Sequence, residues 1–222
     1  MKFHSQILKE DLILEDDLHI TGVTTALGSI QVFSLISERA LTVNEDLVTT
    51  RGSIYVNNSL KIGNDMISSE NITVEGACEI KGNVRGKVIR FNGKSVKVYS
   101  IEGKNIELWG DIKVERDINA SESVWLPINP KKKGPSINGV INAPIVTISF
   151  LGFFTKWFLL PDIILNKLRI PTRMKKVFII KNLSIEARKL VICTMYQPDR
   201  VDVQFIDSNI DADNIEFIQS DY

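Results

Sequence analysis

The chain is short of the residues that most often carry chemistry. Its 222 residues include two cysteines and two histidines. Cys78 and Cys193 stand far apart, with no CxxC and no neighbouring histidine. That pattern fits two buried structural thiols in a reducing compartment. His4 and His19 both fall at the N-terminal end, where hydrated surface positions are expected. Acidic and basic residues balance at 27 each, so the chain has no overall footprint for nucleic acid or acidic substrates. No uninterrupted apolar run reaches the roughly 18–20 residues of a spanning helix. The nearest is "APIVTISFLGFFTKWFLLPDIILNKL", which Lys156, Pro161 and Asp162 break. The opening "MKFHSQILKEDLILEDD" reads as no signal peptide, having neither a sustained apolar run nor a cleavage site. Nucleophile elbow, Walker, dinucleotide and HExxH motifs are all missing. No cofactor and no metal is therefore expected.

What is present is a repeat. Short apolar–x–apolar pairs fill residues 12–126, separated by Asn, Gly, Asp and Ser. Such a pair is a short strand with one inward face. The step is near six residues, and positions align again at about eighteen. Leu12, Ile30, Val48, Met66 and Val84 form one expected column. Leu18, Ile36, Ile54 and Ile72 form a second, and Thr24, Thr42, Leu60, Cys78 and Val96 a third. Val88, Ile106 and Val124 continue out of phase, which places a slip near Arg90–Gly93. Three short strands per eighteen-residue turn describe a parallel β-helix, all-β, with equivalent strands stacked about 4.8 Å apart. An antiparallel sandwich has turn signals every 8–12 residues and gives no reason for the eighteen-residue alignment. The stretch "NITVEGACEIKGNV" makes the expectation specific. Ile72 should lie over Ile54, Val74 over Val56, Cys78 over Leu60 and Ile80 over Ile62.

The expected division is an N-terminal extension (1–11), a coil (12–149), an apolar and basic insertion or cap (150–176) and further rungs (177–222). "LPINPKKKGPSING" reads as a loop, and "VINAPIVTISF" as one more rung. In the last part, Leu183 and Ile185 stand eighteen before Val201 and Val203, and Ile192 eighteen before Ile210.

Segments such as "GNVRGKVIRF", "GDIKVERDINASESV" and "SINGVINAPIVTI" resemble bactofilin rungs, with G-x-[IV]-x-[AG] pieces in steps of about six. The likeness covers most of residues 12–148 and, more weakly, 177–218. It implies a right-handed β-helix and a nucleotide-free cytoskeletal scaffold that polymerises end to end and localises other proteins, often with a membrane-targeting segment. It also implies a cytoplasmic location, peripheral at the inner face of the membrane. Bactofilins usually end in a disordered tail, whereas this chain has fewer glycines, an aromatic insertion and a second strand block.

On that reading the self-association residues are Leu12, Ile13 and Leu14 at one end and Ile215, Phe217 and Ile218 at the other. Membrane or partner contact falls to Phe150, Phe153, Phe154, Trp157 and Phe158, which are interspersed with Lys and Arg as an interfacial segment requires. The same aromatics suit a cap over the coil. Lys131–Lys133 reads as a solvated loop or a contact for acidic lipid. Two enzyme classes share the architecture. Left-handed β-helix acyltransferases use a histidine along the coil as general base, and none lies between residues 20 and 222. Carbohydrate-cleaving β-helices use clustered carboxylates, for which Asp207, Asp211 and Asp213 are the candidates.

Overall fold

A computed structural model describes residues 1–128, 135–150, 176–194 and 201–219. The apolar–x–apolar pairs are strands. Leu18–Ile20, Thr24–Ala26 and Ile30–Val32 each bury their first and third residues and turn the middle one outward, as the two-residue period of a strand dictates. Three residues cannot make a stable strand alone, so each one pairs in parallel with a strand of the neighbouring rung. Leu18–Ile20 lies between Lys2–Phe3 and Leu35–Ser37. The described residues are strands and turns with no helix, and they form a parallel β-helix.

The coil has three sides. Side A starts at Leu12, Ile30, Leu47, Met66 and Val84 in successive rungs. Side B starts at Leu18, Leu35, Ile54, Ile72 and Ile89. Side C starts at Thr24, Leu41, Leu60 and Cys78. The stacked neighbours expected for "NITVEGACEIKGNV" all form: Ile72 on Ile54, Val74 on Val56, Cys78 on Leu60 and Ile80 on Ile62. Their side chains close a continuous dry core. Burial of each Ile, Leu or Val there is worth about 1.5–3 kcal/mol against exposure.

Three column members differ from expectation. Leu47, Leu35 and Leu41 are the core residues, while Val48, Ile36 and Thr42 face outward. The cause is one corner. Between sides A and B the chain normally spends three residues, as at Ser69–Asn71. It spends two at Phe33–Ser34 and four at Thr50–Ser53, directly above. The two irregularities cancel, so the eighteen-residue phase resumes. They also nest. The amide N–H groups of Arg51 and Gly52 donate to the Phe33 carbonyl at 3.3 and 2.8 Å, and the Arg51 guanidinium lies 5.8 Å from the Phe33 ring centroid. A Cβ at Gly52 would sit 2.5 Å from that of Ser34, so this close approach needs glycine.

The later slip is at the same corner. Ile89, not Val88, is inward and pairs with Ile72. The missing residue is therefore lost between Val84 and Ile89, before Arg90–Gly93. The inward residue preceding this corner shrinks from Thr49 and Ser68 to Gly86, Gly103 and Ala120. Thr49 and Ser68 each donate a hydroxyl hydrogen bond to the Gly52 carbonyl, at 2.7 and 2.9 Å.

The corner between sides C and A keeps constant length through the early rungs, and a polar ladder accompanies it. The Asp11 carboxylate accepts the Ser29 N–H at 2.7 Å, Asp46 accepts that of Asp65 at 3.0 Å, and Asp65 that of Asn83 at 2.7 Å. Ser100 donates to Asn83 at 2.6 Å, and Asp117 accepts the Val140 N–H at 2.8 Å. The four aspartate carboxylates each satisfy a backbone donor that a tight turn would otherwise leave open.

Both ends of the expected division change. Residues 2–8 are already coil: Lys2–Phe3 and Gln6–Leu8 pair in register with the second rung. At the other end, Val140–Phe150 is a rung, as expected, and it pairs with Ser184–Thr194, which pairs with Asn209–Gln219. Ile185 stacks on Ile210, twenty-five residues away. The eighteen-residue alignments of Leu183, Ile185 and Ile192 are not the pairing used, because the rung-to-rung offset here is twenty-five residues. Side C of the last two rungs is Lys176–Lys181 paired with Val201–Ile206.

Candidate functional site

The ends of the coil come first, because a stacked fold leaves unpaired backbone edges there. At the N-terminal end, Phe3, Leu8, Leu12 and Leu14 are partly buried against the core, while Ile7 and Ile13 stand 69% and 68% exposed. At the C-terminal end, Val203, Phe205, Ile210 and Ala212 are partly buried, and Ile215, Phe217 and Ile218 are exposed. Among the described residues no element covers either terminal rung. Of the six residues expected at the ends, all lie on terminal rungs. Phe3 and Leu8, which pair in register with Ile20 and Ala26, belong with them although they fall in the expected extension.

The charge at the two ends differs. Residues 201–219 carry Asp202, Asp207, Asp211, Asp213 and Glu216 and no lysine or arginine. The first rung carries Lys2, Lys9 and the amino terminus alongside Glu10, Asp11, Glu15, Asp16 and Asp17, so acids outnumber cations there too, by a smaller margin. The histidines sit at this end. His19 Nε2 is 2.8 Å from Glu38 Oε1, and His4 Nδ1 is 3.0 Å from Thr21 Oγ1.

The acidic trio does not converge as a unit. Asp211 and Asp213 line an open hollow of about 330 Å³ on side A, together with Glu186, Arg188 and Asn142. Asp207 is outside that lining, in the turn before side A, with φ of 52°. Glu186 is directly in register with Asp211. The sequence reading missed Glu186 because it lies a full rung earlier in the chain. Among the described residues, no group of three His, Cys, Asp or Glu side chains is arranged to hold a metal ion.

Cys78 lines a second hollow of about 350 Å³ on side C with Lys61, Glu79 and Lys97. It is 3% exposed. Burial, with a smaller contribution from nearby Glu79, pushes its thiol far above the ordinary range. It is a core residue stacked on Leu60, as expected. Cys193 is only partly buried, which corrects the expectation of two buried thiols.

Phe150 ends its strand inside the coil. It is 5% exposed and stacks on Phe178 at 4.3 Å between ring centroids. It is therefore a core residue and leaves the set expected to meet a membrane or partner. Phe153, Phe154, Trp157, Phe158 and Lys131–Lys133 lie outside the described residues. A further aromatic pair lies on side B. Trp109 and Trp125 meet edge to face at 4.9 Å, and Trp125 Nε1–H donates to Ser149 Oγ at 2.7 Å. No helix among the described residues is long and apolar enough to cross a membrane. No family model, curated protein or solved structure matches the chain.

Proposed function

We propose that this protein is a non-enzymatic, bactofilin-like scaffold that self-associates through its terminal rungs and recruits other proteins at a membrane surface. The observation that carries the reading is the pair of terminal rungs, which no described element covers. Each presents partly buried apolar residues and a row of unpaired backbone groups, and a second copy satisfies both at once. The acidic C-terminal rung disfavours tail-to-tail contact, since like charges would face each other. The membrane part rests on the aromatic and basic composition of residues 150–176. Sedimentation velocity and negative-stain microscopy test self-association, which Ile13→Lys and Phe217→Lys should each weaken. Vesicle flotation tests the membrane part, with Phe153, Phe154 and Trp157 changed to Ser as the weakening variant.

A second reading has one observation in its favour. Asp211, Asp213, Glu186 and Arg188 share a hollow, and paired carboxylates are the machinery of glycoside cleavage. Release of reducing ends from polysaccharide by the wild type, lost in Asp211→Asn and in Glu186→Gln, would support the enzyme and displace the scaffold.

A further inference from the structure

The two ends of the coil differ in whether their charge can change. Residues 1–20 carry three cationic groups, the amino terminus, Lys2 and Lys9, against five carboxylates, a net of −2 with neutral histidines. Residues 21–37 carry no lysine, arginine, aspartate or glutamate, and the next charges, Glu38 and Arg39, cancel. Both histidines of the chain, His4 and His19, stand in this end. Histidine is the side chain that changes charge between pH 5 and 8. With both protonated, five cationic groups meet five carboxylates and residues 1–20 are neutral. Residues 201–219 have five carboxylates and no histidine, so their charge holds over the same range.

Each histidine can take a proton without losing its hydrogen bond. Thr21 Oγ1 donates to the Phe3 carbonyl at 3.1 Å. Toward His4 it therefore accepts, and His4 Nδ1–H is the donor at 3.0 Å, which leaves Nε2 open. His19 Nε2–H donates to Glu38 Oε1 at 2.8 Å, which leaves Nδ1 open, and protonation makes this bond an ion pair. Across the strands, His19 is in register with Lys2 on one side and Ile36 on the other. The remaining charged groups beside these three strands are the amino terminus, Asp16, Asp17 and Arg39. The amino terminus donates to the Asp17 carbonyl at 2.6 Å and lies 4.0 Å from Asp16 Oδ2. The rung keeps its hydrogen bonds while its charge changes.

The same end projects the strongly exposed Ile7 and Ile13, with Phe3 and Leu8 partly buried behind them. Head-to-head and head-to-tail contacts both use this end, and in both the partner's end is acidic. Apolar contact there works against like charge.

We propose that the N-terminal end is a pH-responsive contact for a second copy of the chain, in which protonation of His4 and His19 relieves the repulsion and tightens self-association. The inference rests on the self-association reading and names what regulates it. Falling pH adds protons to this end, lowers its negative charge and favours the joined state. Rising pH restores the charge and loosens the contact.

The test is sedimentation velocity of the whole chain at about pH 7 and about pH 6, a step across which histidine titrates and carboxylates stay charged. At low salt, wild type should associate about threefold or more tightly at the lower pH, and at about 0.5 M salt the two should converge. His4→Gln with His19→Gln keeps hydrogen-bonding side chains that cannot take a charge, and should lose the pH response. Circular dichroism and thermal midpoint confirm folding at both pH values. The single variants, each expected to keep about half of the response, serve if the double variant does not fold. Wild type that associates equally or more weakly at the lower pH overturns the inference and leaves the self-association reading intact. A double variant that responds as wild type does also overturns it, because other groups then carry the response. Wild type that is a monomer under all of these conditions removes the self-association reading, and the inference with it.

Discussion

The coil before Val114 and the coil after Ile118 use the same core and different corners. In the first part, the corner between sides B and C is closed over its last three rungs by the stacked glycines Gly76, Gly93 and Gly110. A Cβ on Gly93 would come 2.2 Å from the Gly76 carbonyl oxygen, and Gly110, at φ +98°, is as close to that of Gly93. In the second part the longest stretches of sequence between described strands all fall at this corner. Residues 129–134, 151–175 and 195–200 each join the end of a side B strand to the start of a side C strand. The return from Ile141 to Ile185 therefore spans 44 residues, whereas that from Leu12 to Ile30 spans 18. Stacking still places one branched aliphatic side chain on another in both. The rung period belongs to the corners, and the register belongs to the core.

The largest expected effect separates the core from the open ends. Ile72 is fully buried with partners above and below. Ile72→Ala should cost about 2–5 kcal/mol in chemical denaturation. Ile210→Ala, on the last rung, should cost about 1 kcal/mol or less. Equal costs would mean that the last rung is covered.

Corner tolerance comes next. Three residues inserted between Glu75 and Gly76 should lower the thermal midpoint by about 5 °C or more, since they break the glycine stack. The same insertion between Lys133 and Gly134 should change it by about 1 °C or less. The comparison fails if both insertions are tolerated alike.

A smaller effect is expected at the polar ladder. Asp65 Oδ1 accepts hydrogen bonds from both Asn83 N–H and Asn83 Nδ2. Asp65→Ala should cost about 1 kcal/mol, and Asp65→Asn should recover part of it. Equilibrium unfolding of the two variants measures the difference.

The finest contrast is between the thiols. Cys193, only partly buried, should be alkylated in native protein well before Cys78. Cys78 should stay unreacted until the chain unfolds, because its thiol remains protonated there. Rapid native labelling of Cys78 would show that the second hollow opens into the core.

These contrasts also explain what was legible in the sequence. The architecture and the stacking of residues 54–80 followed from spacing alone, because the corners around them are regular. Leu35–Ile36 and Leu47–Val48 are pairs of adjacent apolar residues. A one-residue slip exchanges their inward and outward members without disturbing the pattern. Only the nested turns at Phe33–Ser34 and Thr50–Ser53 decide which member is inward, and their lengths cannot be read from a mean step of six. Phe150 looked like part of an exposed aromatic run because its partner, Phe178, lies twenty-eight residues on. Glu186 was missed beside Asp211 for the same reason. Long excursions separate in sequence what the rungs bring together.

The central claim is that the open terminal rungs join copies of the chain. Sedimentation velocity across a concentration series tests it most directly, run at low and high salt with wild type and Phe217→Lys. The account predicts wild-type species larger than one chain that grow with concentration, and a shift toward monomer in the folded variant. A wild type that sediments as a monomer at every concentration and salt would contradict it.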